Sequence, residues 1–118
     1  TLADVVGSTN NLPPNIDGIS FLPTLKGERD QKKHDFLYWE FPSYGGQKAV
    51  LMGKWKGIRE NIFVGNMEIK LFNLEEDVQE ENDVSNQHPE IINKIEQIME
   101  QEHEVPMLES MKIDQLGD

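Results

Sequence analysis

The chain has 118 residues, no cysteine and a formal net charge of −11, with a mean hydropathy of −0.60. That length suits one domain, or part of one, with a modest core. An excess of 22 acidic over 11 basic residues argues against nucleic acid and against an anionic membrane surface, both of which need Lys and Arg. Without Cys there are no disulfides, thiolate metal sites or Cys nucleophiles, and no apolar run approaches the length of a membrane span.

In chain order, Leu2, Val5 and Val6 have helical spacing, and Gly7 stands where a helix would stop. A turn and a half of helix is not stable alone, so residues 1–7 read as the end of a longer helix. Residues 8–14 are a Ser/Thr/Asn/Pro-rich loop, and Asp17-Gly18 is a turn pair. Ser20 caps a short helical turn through Phe21, Leu22 and Leu25 that ends at Gly27, with Pro23 at an early position. Residues 28–35 are charged and solvated. The expected organisation is 1–27 as truncated helix, linker and short turn, 28–104 as sheet and helix, and 105–118 as a tail.

From Phe36 to Asn73 short aromatic or aliphatic runs alternate with Gly and Asn. That pattern predicts antiparallel strands joined by tight turns at Gly45-Gly46, Gly53-Lys54 and Gly65-Asn66. Alternation puts Tyr38 and Glu40 on one face of the first strand, and Leu37, Trp39 and Phe41 on the other. Neither face is cleanly polar, so both need cover. Residues 75–83 are acidic and long enough for one helical turn. His88-Pro89-Glu90 then opens the main helix, whose Ile91, Ile92, Ile95, Ile98 and Met99 form one stripe. The expected fold class is α+β: a small antiparallel sheet of about four strands packed on one C-terminal helix. One helix covers one face. The other face needs a partner, either through self-association or through the tail ordering across it.

Catalytic signals are sparse. His34, His88 and His103 lack the spacing of a helical metal site, and structural roles suit them; His103 falls in a last helical turn, where a cation is favoured. The acidic run lacks the central Gly of a calcium loop. No phosphate-binding Gly pattern or Ser-His-Asp order is present. Tyr38, Trp39, Tyr44 and Trp55 offer a sugar-stacking platform, with core packing the plainer use of strand aromatics; Tyr44, beside the Gly-Gly turn, suits a ligand or partner best.

Several stretches resemble type I sulfatases (arylsulfatases) of bacterial type. Residues 1–7, Thr-Leu-Ala-Asp-Val-Val-Gly, look like the end of a helix in that family. Residues 16–27 resemble its DG-x-S-x-x-P-x-L-x-G stretch through Asp17, Gly18, Ser20, Pro23, Leu25 and Gly27. Residues 37–41, 48–50 and 53–56 resemble its C-terminal strands. Leu71-Phe72-Asn73-Leu74 with Asp77, Glu80 and Asn82, then His88-Pro89-Glu90, resembles its closing segment and final helix.

The resemblance implies the C-terminal subdomain of the alkaline-phosphatase-like sulfatase fold. Its partner would be an N-terminal catalytic domain that holds Ca²⁺ and a formylglycine made from Cys or Ser in C/S-x-P-x-R, and that hydrolyses a sulfated carbohydrate or aryl sulfate. It implies a periplasmic or secreted parent. This chain has neither that motif nor a position for a catalytic or metal-binding residue, so alone it is expected to be inactive. The family's subdomain borders the substrate cleft, which nominates Tyr38, Glu40, Tyr44 and Lys48 as substrate contacts. The alternative is a stand-alone carbohydrate- or protein-binding module.

Overall fold

The runs between Gly and Asn become four strands in the computed structural model, which describes residues 1–118. They are β1 (Leu37–Phe41), β2 (Gln47–Met52), β3 (Trp55–Arg59) and β4 (Lys70–Asn73), paired antiparallel in the order β1-β2-β3-β4. Gly53 and Lys54 form the two-residue turn between β2 and β3, with Gly53 at φ +58°. The β1–β2 connection passes through three left-handed residues in succession: Tyr44 at φ +51°, Gly45 at +86° and Gly46 at +75°. Glycine at 46 also admits the β3–β4 loop, since a Cβ there would lie 3.3 Å from both Ile62 and Phe63. The two loops bond through Ile62 N–H to Gly46 O and Phe63 N–H to Gly45 O, and Ile62 is fully buried.

Tyr38, Val50, Gly57 and Leu71 lie in register across the sheet. Helix α3 (Pro89–Gln101) covers this face, with Ile95 and Met99 joining Val50, Ile69 and Leu71 in the core. Burying such a side chain contributes about 1.5–3 kcal/mol. Pro89 sits in the first turn of α3, where its absent N–H costs nothing. The His88 ring packs 4.6 Å from that of Trp55. On the opposite face Phe72 is buried, but Trp39 and Phe41 remain 49% and 50% exposed.

The acidic segment after β4 is a series of turns and not a helix. Its Asp side chains take the backbone donors that a helix would use. Asp77 accepts the N–H groups of Glu81 and Asn82, and Asp83 those of Leu71 and Ser85. The tail docks by Ile113, which is buried beside Gly46, and by Gln115, whose amide donates to Phe63 O. Leu116 shares a cavity with Lys48 and Arg59 on the α3 side of the sheet. The tail is therefore anchored on the covered face and does not sheathe Trp39 and Phe41.

Residues 1–35 and 36–118 form two compact units. In the first, α1 (Leu2–Val5) stops before Gly7 at φ +66°, and α2 (Leu22–Leu25) before Gly27 at φ +74°. Ser20 Oγ accepts the Leu22 N–H and donates to Asp4, which fixes the start of α2.

Candidate functional site

Strand alternation places Tyr38, Glu40 and Lys48 on the α3 side of β1 and β2, where Glu40 pairs with Lys48 across the strands. Glu40 Oε2 is the meeting point. It accepts the Tyr38 hydroxyl, His103 Nδ1 lies 3.0 Å away and Lys48 Nζ 3.7 Å away. The other ring nitrogen of His103 lies 2.6 Å from Asp118 Oδ1, and Asp118 Oδ2 accepts the Ile113 N–H at 2.7 Å. His103 lies beyond the end of α3 at Gln101, so it bridges strand and tail instead of capping the helix dipole.

Buried charge shapes this cluster. Lys48 is 3% exposed, with its ammonium 3.4 Å from Met99 O near the helix C-terminus. Burial lowers its pKa, and the Glu40 carboxylate only partly offsets this. Burial, then the bond to Glu40, pushes the Tyr38 phenol well above its ordinary range. Burial alone would raise Asp118, but the Ile113 N–H, His103 and Lys48 outweigh it and hold the carboxyl below its usual value. Arg59, beside Lys48 in the register, donates to Met67 O and to Glu96.

An open groove of about 390 Å³ runs along this cluster. Tyr38, Glu40, Glu102 and Glu104 supply its polar wall, and Val105, Pro106, Met107 and Met111 its apolar one. Three carboxylates around one groove disfavour a sulfated ligand there. The polar atoms of Tyr38, Glu40 and Lys48 are already turned on one another. Tyr44 stands apart on the β1–β2 loop, 83% exposed, its ring stacked on Phe41 at 6.1 Å. Tyr38 and Trp55 pack against the core, so of the four platform aromatics only Trp39 and Tyr44 face outward.

No protein-family model matches the sequence, and no curated protein does. Solved structures do. One, named as a sulfatase from Bacteroides thetaiotaomicron VPI-5482, superposes with a TM-score of 0.71 at 23% identity over 86% of this chain. A 2-O GAG sulfatase gives 0.69 at 23% identity, again over 86%. A protein from a Bacteroides thetaiotaomicron locus for metabolism of multiple glycosaminoglycans gives 0.59 at 24%, over 85%. This chain has the fold of part of a sulfatase. It spans 22% of the length of each of these structures.

The sulfatase-like fold raises the question of formylglycine and Ca²⁺. The residues here do not fit them. There is no Cys, and no Ser is followed by x-P-x-R. No three His, Asp or Glu side chains converge to hold a metal ion. Glu40 and Asp118 sit on opposite nitrogens of His103, which leaves no common point for an ion.

Proposed function

We propose that this chain is the C-terminal lobe of a sulfuric ester hydrolase and works by completing that enzyme, with no chemistry of its own. The observation that carries the reading is the pairing of a sulfatase-like fold, at 22% of the relatives' length, with a unit of residues 36–118 whose sheet bears apolar residues on two faces and whose one α-helix, α3, covers one of them. The face of Trp39 and Phe41 docks on the N-terminal catalytic domain, which holds the formylglycine and Ca²⁺. In isolation the same face drives self-association. Tyr38, Glu40 and Lys48 brace the wall of the lobe, and of the four nominated residues the reading keeps Tyr44 as the substrate contact, supported by its exposure at a loop tip. Sulfated glycans are the favoured substrate class, because two solved relatives carry glycosaminoglycan names. The parent then works in the periplasm or outside the cell.

The test is sulfate release from sulfated oligosaccharides by the full-length protein and by residues 1–118 alone. The reading expects release only by the former. A full-length protein inert towards sulfate esters, or an active isolated chain, contradicts it.

A second reading has its own observation: Trp39, Phe41 and Tyr44 form a run of exposed aromatics, and Tyr44 holds a left-handed φ that bulky residues rarely adopt. Such a run suits the apolar faces of sugar rings, as in a stand-alone carbohydrate module. Calorimetry separates the two. Saturable binding of unsulfated oligosaccharide by residues 1–118, lost in Trp39→Ala and Tyr44→Ala, favours the module; absence of binding favours the lobe.

A further inference from the structure

We propose that the free edge of β1 is a docking site for an extended, basic polypeptide segment, which adds to the sheet as a further strand. The two-residue turn at Gly53-Lys54 makes Met52 and Trp55 a pair that exchanges both backbone bonds, and bonded and unbonded pairs alternate from there. Met52, Val50 and Lys48 therefore bond to β3, and Leu51, Ala49 and Gln47 bond to β1. Their partners Leu37, Trp39 and Phe41 turn their backbone groups inward, so Tyr38 and Glu40 turn theirs away from the sheet. No other group of the chain takes them.

The opposite edge of the sheet is closed. The outward groups of Leu71 in β4 are held by Asp83 Oδ1 and by Val84 N–H, and Asn73 O accepts from Glu76 and Asp77. Nothing comparable protects β1. It carries no Lys and no Pro, the usual guards of an edge strand. Pro42 follows in the outward series, and its missing N–H ends the free run.

The groove of about 390 Å³ lies along this edge, with Tyr38, Glu40 and Pro42 on one side and Glu102, Glu104 and Met107 among the residues opposite. Glu40 is engaged by Lys48 and His103, whereas Glu102 and Glu104 have no ion-pair partner. The chain's net charge of −11 adds attraction for a basic segment. The same charge disfavours a second copy, whose β1 would bring its own Glu40 to these carboxylates. Strand alternation fixes the pattern of the occupant. Side chains on the face of Tyr38 and Glu40 meet the carboxylates and are Lys or Arg. Those between them lie beside the half-exposed Trp39 and Phe41 and are apolar. This docking needs no catalytic domain and is independent of the sulfatase reading.

Amide exchange followed by NMR on the 118-residue chain tests this, with a blocked synthetic peptide of alternating Lys and Val as the probe. In the free chain the Tyr38 and Glu40 amides should exchange roughly tenfold or more faster than that of Trp39, which the ladder holds. Saturating peptide should slow both by a similar factor and leave Trp39 unchanged. The same peptide N-methylated at every amide keeps its charge but cannot donate, and should not protect them; nor should a Glu-Val peptide. Changing Glu102→Gln and Glu104→Gln together should weaken binding roughly three- to tenfold, the worth of two part-exposed ion pairs. Tyr38 and Glu40 amides that the Lys-Val peptide fails to slow, equal protection by either control peptide, or unchanged affinity in the double variant overturns the proposal. Protection of these amides that rises with protein concentration in the absence of peptide assigns the edge to a second copy and overturns the basic occupant.

Discussion

Ile95 of α3 occupies the space that a side chain at Gly57 of β3 would need. A Cβ on Gly57 would lie 2.7 Å from Ile95 Cγ2 and 2.8 Å from Ile95 Cδ1. The helix thus sits directly on the sheet backbone at the centre of the core, and the glycine sets that distance.

Gly57→Ala should therefore destabilise the fold in spite of the alanine's better strand propensity. Overpacking of this kind costs about 1–3 kcal/mol, read as a lower urea midpoint at unchanged slope. Gly57→Ala combined with Ile95→Ala should cost less than the two single changes added together, because the cavity of one receives the methyl of the other.

The strands and α3 were legible because each carries a local signal. Gly53-Lys54 marks a two-residue turn, Pro89 marks a helix start, and the stripe from Ile91 to Met99 has the helical period. The close approach at Gly57 was not legible, since a strand glycine looks the same whether it faces solvent or a helix. The cluster at Glu40 was legible only in part. Alternation puts Tyr38, Glu40 and Lys48 on one face, but His103 and Asp118 come from 63 and 78 residues beyond Glu40 and reach it through tertiary packing alone. The acidic run misled as a helical turn because its Asp side chains bind the backbone donors themselves.

Asp83 ties the chain after β4 back onto the sheet edge through Leu71 N–H and Ser85 N–H. Burial pushes its carboxyl upward, but those two backbone bonds outweigh it and hold it below the ordinary value. The folded pKa is depressed, so its contribution is present above the unfolded value near pH ~4 and is lost as pH falls through the folded one. Asp83→Ala should cost about 1 kcal/mol near neutrality, the usual worth of such a side-chain cap, and should flatten the acid limb of a stability–pH curve. An acid limb identical to wild type would contradict this.

Arg59 and Glu96 form an ion pair with unequal burial, their side chains 3% and 46% exposed. Glu96 is the half-exposed partner, so in Glu96→Ala water enters where its carboxylate stood and takes over part of its bond to the buried guanidinium, for a loss of about 1 kcal/mol. Arg59→Ala also empties a buried volume and orphans Met67 O, for about 3 kcal/mol. Urea denaturation of the two variants should rank them in that order.

Trp39 and Phe41 are half-exposed, so replacing both by Ser should change the stability of residues 1–118 by less than about 1 kcal/mol. Sedimentation should nonetheless respond: the wild-type chain is expected to self-associate and the double variant to be monomeric. A strictly monomeric wild type would count against this face as a docking surface.

The proposed role as one lobe of a sulfatase is tested most directly by peptide mass spectrometry of the full-length protein that carries this chain. The account predicts formylglycine within a Cys/Ser-x-Pro-x-Arg stretch on the N-terminal side of Thr1. A full-length sequence with no such stretch, or one whose Cys or Ser is unconverted in active enzyme, would contradict it.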